Sequence, residues 1–307
     1  MIESVTSNDL SAAPYMGQRF LSVMRGMYSD FPTGFGTTII MLFMIIALAG
    51  PVAAPFGYNE SIYQDARQAP SIQHLFGTDH LARDVFSRVL FGARSVFVLA
   101  GSATLLAVVI GTFLGLFSGY LGGWFDELMM RFFDSLLSLP ALLLALMALG
   151  VLRAVYGERV SAIGKGLGVM IVLVIVYSPI VARVVRSVVL PVKTHGYIEA
   201  ARVQGESIWR ILFREIFPSV LPALTVEAAL RFSYAIFLTS SLGFLGVGVQ
   251  SPNPDWGLMI SEARANYSQV PWSLWFPVGA ISLVVVGANL MAEGIRRVLL
   301  GDQRGEG

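Results

Sequence analysis

Six stretches of this sequence are almost free of charge, and the charged residues gather in shorter, turn-rich segments between them. The first runs from Gly34 to Phe56, with Pro51 and Pro55 near its far end, where a helix stops or kinks at little cost. The second starts at Ser95 and ends near Gly119, because Gly119, Gly122 and Gly123 beside Tyr120 and Trp124 read as an interfacial turn. The third covers about Phe132 to Leu152, the fourth Gly166 to about Arg183 and the fifth about Leu221 to Val247. The sixth spans Trp272 to about Ala292, with Trp272 and Trp275 as interfacial anchors. Each approaches the roughly 20 residues needed to cross about 30 Å of hydrocarbon. The pattern predicts an all-α membrane protein with six transmembrane helices and both termini on one side.

The segments between the spans carry their own signals. Asp79 is placed to cap a helix from His80 to about Phe91, with Leu81, Val85 and Val89 on one face and Asp84 and Arg88 as an i,i+4 pair. Such a helix would lie on the outer interface. The breakers between Gly246 and Gly257 predict an outer turn or re-entrant cap. Inside the fifth span, Glu227 and Arg231 sit one helical turn apart and are expected to pair within the membrane. A pair that neutralises itself serves structure at least as readily as substrate handling or gating. Asp134, near the start of the third span, is expected to reach the interface or Arg131.

Composition narrows the chemistry. Of 307 residues 55% are hydrophobic and only 13% charged, too apolar for a soluble surface. The absence of Cys removes disulfides and thiolate chemistry. His74, His80 and His195 all fall in loops, where they are expected to be solvated, and no HExxH occurs. Neither catalytic residues nor a metal site is therefore expected. There is no GxxxxGK[ST] loop to cradle ATP, and a net charge of +1 gives no reason for a nucleic-acid partner. The first 33 residues mix Glu3, Asp9 and Asp30 with Arg19 and Arg25, unlike a signal-peptide start, and are read as an uncleaved tail.

The segment from Tyr197 to Pro222 sets a compact, charged, partly helical insert between two apolar spans. Glu199, Ala200 and Ala201 are good helix formers with little bulk beside the alanines, and Gly205 lets the backbone bend or pack closely. Ile208, Ile211, Leu212 and Ile216 then form an apolar stripe, and Pro218 and Pro222 mark the start of the fifth span. Periodicity alone is equally compatible with a basic amphipathic helix resting on the inner leaflet.

The spacing is more specific: Glu-Ala-Ala, three residues, Gly205, and Pro218 thirteen residues later resemble the EAA loop that permease subunits of ATP-binding-cassette (ABC) importers present to their ATPases. Two departures are Glu215, where the pattern often has Ile, and Phe217 before the proline. The stretches from His74 to Ser95 and from Ser241 to Gly257 resemble the C-type permease subunit of dipeptide and oligopeptide importers, although Thr239 stands where many relatives carry an acid.

Together these resemblances reach from about residue 35 to 300. They imply a type I ABC importer permease fold. Residues 34–94 would hold the first transmembrane helix and an extracytoplasmic amphipathic segment, and 95–297 a core with its EAA loop at 193–218. Residues 1–33 and 298–307 would be cytoplasmic tails. Glu199, Ala200, Ala201 and Gly205 would form the ATPase-coupling element, on a short cytoplasmic coupling helix. The implied partners are a second homologous permease, two ATP-binding subunits or domains, an extracytoplasmic substrate-binding protein and membrane lipid. No cofactor is expected in this chain, with ATP and Mg used by the partner subunits. The implied location is the inner membrane of a prokaryote, with both termini cytoplasmic, an orientation that basic residues favour only modestly.

The implied solute is a di- or oligopeptide, with nickel chelates, glutathione, opines and sugars as alternatives. An ion-coupled secondary transporter would call for acids near mid-membrane and an internally repeated architecture. A membrane enzyme would need a nucleophile with a base or a metal. The sequence shows none of these clearly.

Overall fold

The computed structural model describes residues 25–61, 65–156 and 166–301. Most of the expected N-terminal tail and residues 302–307 lie outside the described residues. The described helices are α1 (Phe31–Ala53), α2 (Val85–Leu121), α3 (Gly123–Leu137), α4 (Ala141–Tyr156), α5 (Leu167–Val192), α6 (Gly196–Val203), α7 (Ile208–Phe244), α8 (Trp256–Arg264) and α9 (Trp272–Gly301). Among the described residues there is no strand, only two isolated bridges, Ser61 with Arg83 and Thr78 with Asp84. Five helices, α1, α2, α5, α7 and α9, are long and apolar enough to cross a membrane, and α3 with α4 supplies a sixth if that bent pair is one span.

Three expectations about the spans need correction. The separate interfacial helix from His80 to Phe91 does not form. Instead α2 starts at Val85 and runs 37 residues without a break, because no proline interrupts it before the glycines at its end. Its cap is Asp84, which accepts from the Ser87 N–H at 2.7 Å, and not Asp79. The third span is bent by 98° between α3 and α4. Pro140 disfavours a helical conformation at Leu139 and so explains the break. The fourth and sixth spans are longer than their apolar stretches, since α5 continues to Val192 and α9 to Gly301.

The loop before α2 is held by buried charge. Asp79 Oδ2 accepts from Arg83 Nε at 2.7 Å and from Arg88 at 3.0 Å, and both guanidinium groups also reach Glu262 on α8, at 2.7 and 3.2 Å. The expected Asp84–Arg88 pair is therefore absent. Asp84 instead meets His74 Nδ1 at 2.9 Å. His74 is buried and stacks on Phe56, with ring centroids 4.9 Å apart, so the expectation of a solvated side chain fails.

Tryptophans tie the same end together. Trp256 is fully buried and donates to Val89 O at 3.0 Å. Trp272 donates to Thr78 O at 2.8 Å and is partly buried, a tertiary strut more than an interfacial anchor, whereas Trp275 stays exposed. The breaker-rich stretch after α7 forms a turn that leads into α8, capped by Asp255, which accepts from the Leu258 N–H at 3.1 Å.

Helices α2 and α5 form the spine. Gly111, Gly115 and Gly119 recur every fourth residue on α2. A Cβ on them would lie 2.6 Å from Val181 Cβ, 2.7 Å from Val185 Cβ and 2.9 Å from Val189 Cβ respectively. Inside a membrane, association depends on such close backbone approach, because lipid is as apolar as the side chains. One apolar core joins α1, α2, α4, α5, α7, α8 and α9. A second, around Leu116, Val189, Ile198, Ile211 and Leu212, lies at the other end of the spine and seats α6.

Candidate functional site

The loop from 193 to 218 is built as two helices joined by one tight turn. Its first helix, α6, ends in a Schellman motif: the Glu206 N–H reaches Ala201 O at 3.1 Å and the Gly205 N–H reaches Arg202 O at 3.0 Å. Gly205 occupies the left-handed C′ position, with φ +77°. A Cβ there would meet nothing within 4 Å, so the glycine serves a bend and not close packing.

Ser207 caps the next helix through the Arg210 N–H at 3.4 Å, and Glu206 pairs with Arg210 at 2.9 Å. That helix begins α7 and passes through a π-helical stretch, Ile211–Ile216, in which the Phe217 N–H reaches back to Leu212 O. Pro218 has no N–H to give to Arg214 O, and its ring crowds that carbonyl, so the wider π turn relieves a conflict that an α turn would keep. The expected start of the fifth span at Pro218 and Pro222 is therefore a local widening within one helix that already begins at Ile208 and runs to Phe244.

Burial divides the element into two faces. Ile198, Ile211, Leu212 and Ile216 are buried, each worth about 1.5–3 kcal/mol against exposure to water. Ile208, expected on the same stripe, is exposed. Glu199, Ala200, Arg202, Val203, Gln204 and Gly205 face outward, with Ala201 half-buried. Of the four residues assigned to coupling, the structure thus presents Glu199, Ala200 and Gly205 openly on one element, with Ala201 at its margin. Trp209 is exposed at 60% and stacks on Phe213, centroids 5.7 Å apart, while its edge meets Phe117 at 5.3 Å.

Polar contacts fasten this element to the end of α2. Arg202 lies 4.7 Å over the Tyr120 ring and donates to its hydroxyl at 3.2 Å. Lys193 donates to Gly119 O at 2.6 Å. Arg186 holds Asp126 with two bonds, 2.5 and 2.6 Å, and Ser118 donates to the same carboxylate at 2.9 Å. Asp134 pairs with Arg183 and not with Arg131, which takes Glu127 at 2.5 Å. Sequence reasoning missed these clamps. Only the Glu127–Arg131 pair has a local signature, because Asp126 and Arg186 are 60 residues apart.

The expected intramembrane pair exists. Arg231 Nε lies 2.7 Å from Glu227 Oε1, although the angle is too poor for a hydrogen bond and both atoms lack one among the described residues. The Arg231 guanidinium sits 4.8 Å over the Tyr234 ring and 5.7 Å from that of Tyr177, whose hydroxyl donates to Tyr234 O at 2.9 Å. This polar island joins α5 to α7 and begins roughly 28 Å along α7 from its start at Ile208. Among the described residues no group of three or more His, Asp or Glu is placed to hold a metal ion.

Residues 111–301, which contain the loop and both helices that carry it, match the family model described as binding-protein-dependent transport system inner membrane component. The chain is 38% identical to the dipeptide transport system permease protein of Alkalihalophilus pseudofirmus, over 86% of this chain and 84% of that protein. It is 36% identical to the glutathione transport system permease protein of Pectobacterium atrosepticum, over 85% of this chain and 83% of that protein. It is 38% identical to the protein of the same description from Escherichia coli O6:K15:H31, over 85% and 83%.

Proposed function

The chain belongs to the binding-protein-dependent transport system inner membrane component family, and on that premise we propose that it forms half of an ATP-driven pathway importing small peptides. As a permease subunit of an ABC importer it is a multi-pass membrane protein and not itself an enzyme. The solute is a peptide of two or a few residues, glutathione included, by analogy with the dipeptide and glutathione permeases that it resembles. A second permease completes the pathway, two ATP-binding subunits or domains consume ATP and Mg on the cytoplasmic side, and an extracytoplasmic binding protein delivers the solute. Both termini and the 193–218 loop face the cytoplasm.

One observation carries the mechanism. The outward face of α6 is joined by a single glycine turn to a helix that continues unbroken into the membrane. A soluble motor pressing on Glu199, Ala200 and Gly205 moves a stiff lever. The motion reaches α7 through the Gly205 turn and α2 through Arg202 and Lys193. Glu227 and Arg231 ride on the same helix, neutralising each other as it moves.

The test is transport by the complex purified from its native membrane. In proteoliposomes it should hydrolyse ATP faster when loaded binding protein is added, and dipeptide uptake should stop without ATP. Uptake by the isolated chain under a proton or sodium gradient, with no ATPase present, would overturn the proposal.

A further inference from the structure

At the end of the molecule opposite the coupling loop, a cavity of about 660 Å³ opens between α2, the start of α5 and the turn that follows α7. Its volume falls within the range of small-molecule sites. The wall is mostly apolar, with Phe91, Leu99 and Met170 among its residues. Arg94 is the one charged residue among the described residues that line it. It is exposed on α2, roughly 40 Å along that helix from the end that meets α6.

Two polar side chains on the wall are already engaged. The Ser102 hydroxyl donates to Leu99 O at 3.2 Å, and the Asn253 amide donates to Gln250 O at 2.9 Å. The Tyr58 and Ser95 hydroxyls also line it, but the positive charge falls to a single guanidinium, whose planar fork matches a carboxylate with two parallel hydrogen bonds. No acid on the described wall would receive an ammonium group. The arrangement suits a solute that puts one carboxylate and an apolar body inside and leaves its amino end toward water.

We propose that this cavity receives the carboxyl end of the transported solute and that Arg94 is its counter-charge, an inference that rests on the peptide-import reading above. A lipid headgroup phosphate has the same oxyanion chemistry, and the vesicle composition separates the two sources. Arg94 touches neither the coupling loop nor the buried ion cluster, so its replacement should leave assembly intact.

The experiment measures uptake per ATP hydrolysed by the whole complex in proteoliposomes. The probes are leucyl-leucine and its C-terminal amide, each at concentrations that load the binding protein equally. For leucyl-leucine, Arg94→Ala should keep binding-protein-stimulated ATP hydrolysis and lower the uptake ratio about tenfold or more, as expected for losing a charge-assisted hydrogen bond. Arg94→Lys should recover part of it. The amide should be carried at the same low ratio by wild type and Arg94→Ala.

An unchanged ratio in Arg94→Ala, an equal wild-type ratio for acid and amide, or parallel loss of hydrolysis and uptake would each overturn the assignment. A loss seen with phosphatidylglycerol in the vesicles but not in phosphatidylcholine alone would assign Arg94 to lipid and overturn it as well. If the wild-type complex carries neither peptide, the peptide reading itself fails and takes this proposal with it, an outcome distinct from any effect of Arg94.

Discussion

Replacing Gly205 with residues of graded tolerance for positive φ isolates the turn that ends α6. The backbone there has φ +77°, and a Cβ meets nothing within 4 Å. A small side chain thus costs conformational energy and no packing energy. For alanine the cost is about 1–2 kcal/mol, because the left-handed region drives Cβ against the following carbonyl. Asparagine adopts that region more readily, and valine, branched at Cβ, least of the three. A penalty of this size changes the ratio of formed to unformed turn roughly 5–30-fold. ATP-driven uptake by the reconstituted complex should therefore fall in the order wild type, Gly205→Asn, Gly205→Ala, Gly205→Val, while all variants insert into the membrane. Amide hydrogen exchange at Gly205 and Glu206 should rise in the same order, since both N–H groups are bonded only when the turn is closed. Gly205→Arg, which also adds bulk to the exposed face, should abolish uptake. If Gly205→Asn is as harmful as Gly205→Val, side-chain size at a partner's surface is responsible, and the turn argument is refuted.

Two further outcomes test other parts of the structure. Cysteines at Ser61 and Ser207, both exposed in a chain with no native Cys, should react differently with an impermeant thiol reagent on intact cells lacking an outer-membrane barrier: Ser61→Cys labels and Ser207→Cys does not, and the reverse pattern inverts the orientation. Burial pushes the Asp255 carboxyl from 3.8 up to about 6, against the opposing pull of the Leu258 and Gly257 N–H groups. The folded state then binds the proton more tightly than the unfolded chain, so this group's contribution is full below about pH 3.8 and is lost as pH rises through about 6. Asp255→Asn keeps an acceptor for the helix cap and removes the charge, so it should raise thermal stability at neutral pH by up to about 3 kcal/mol and flatten its pH dependence. Parallel pH profiles for variant and wild type would contradict this.

The sequence by itself determined the features whose physics is local. Uncharged run length made the spans recognisable, because about 30 Å of hydrocarbon demands it. Helical spacing brought Glu227 and Arg231 together, and the left-handed C′ position explains why a glycine follows Glu199-Ala200-Ala201 at its particular distance. Even the 98° break had a local sign in Pro140, which an apolar run that continues past it concealed. Tertiary structure alone decided which charges meet across long stretches of chain. Arg88 bypasses Asp84, one turn away, for Glu262, 174 residues distant, and Asp126 finds Arg186 across 60 residues. It also buried His74 and opened the cavity beside Arg94. The physical reason is reach: backbone hydrogen bonds and caps act over four or five residues, whereas an ion pair in a low-dielectric interior forms wherever helix packing carries its two halves.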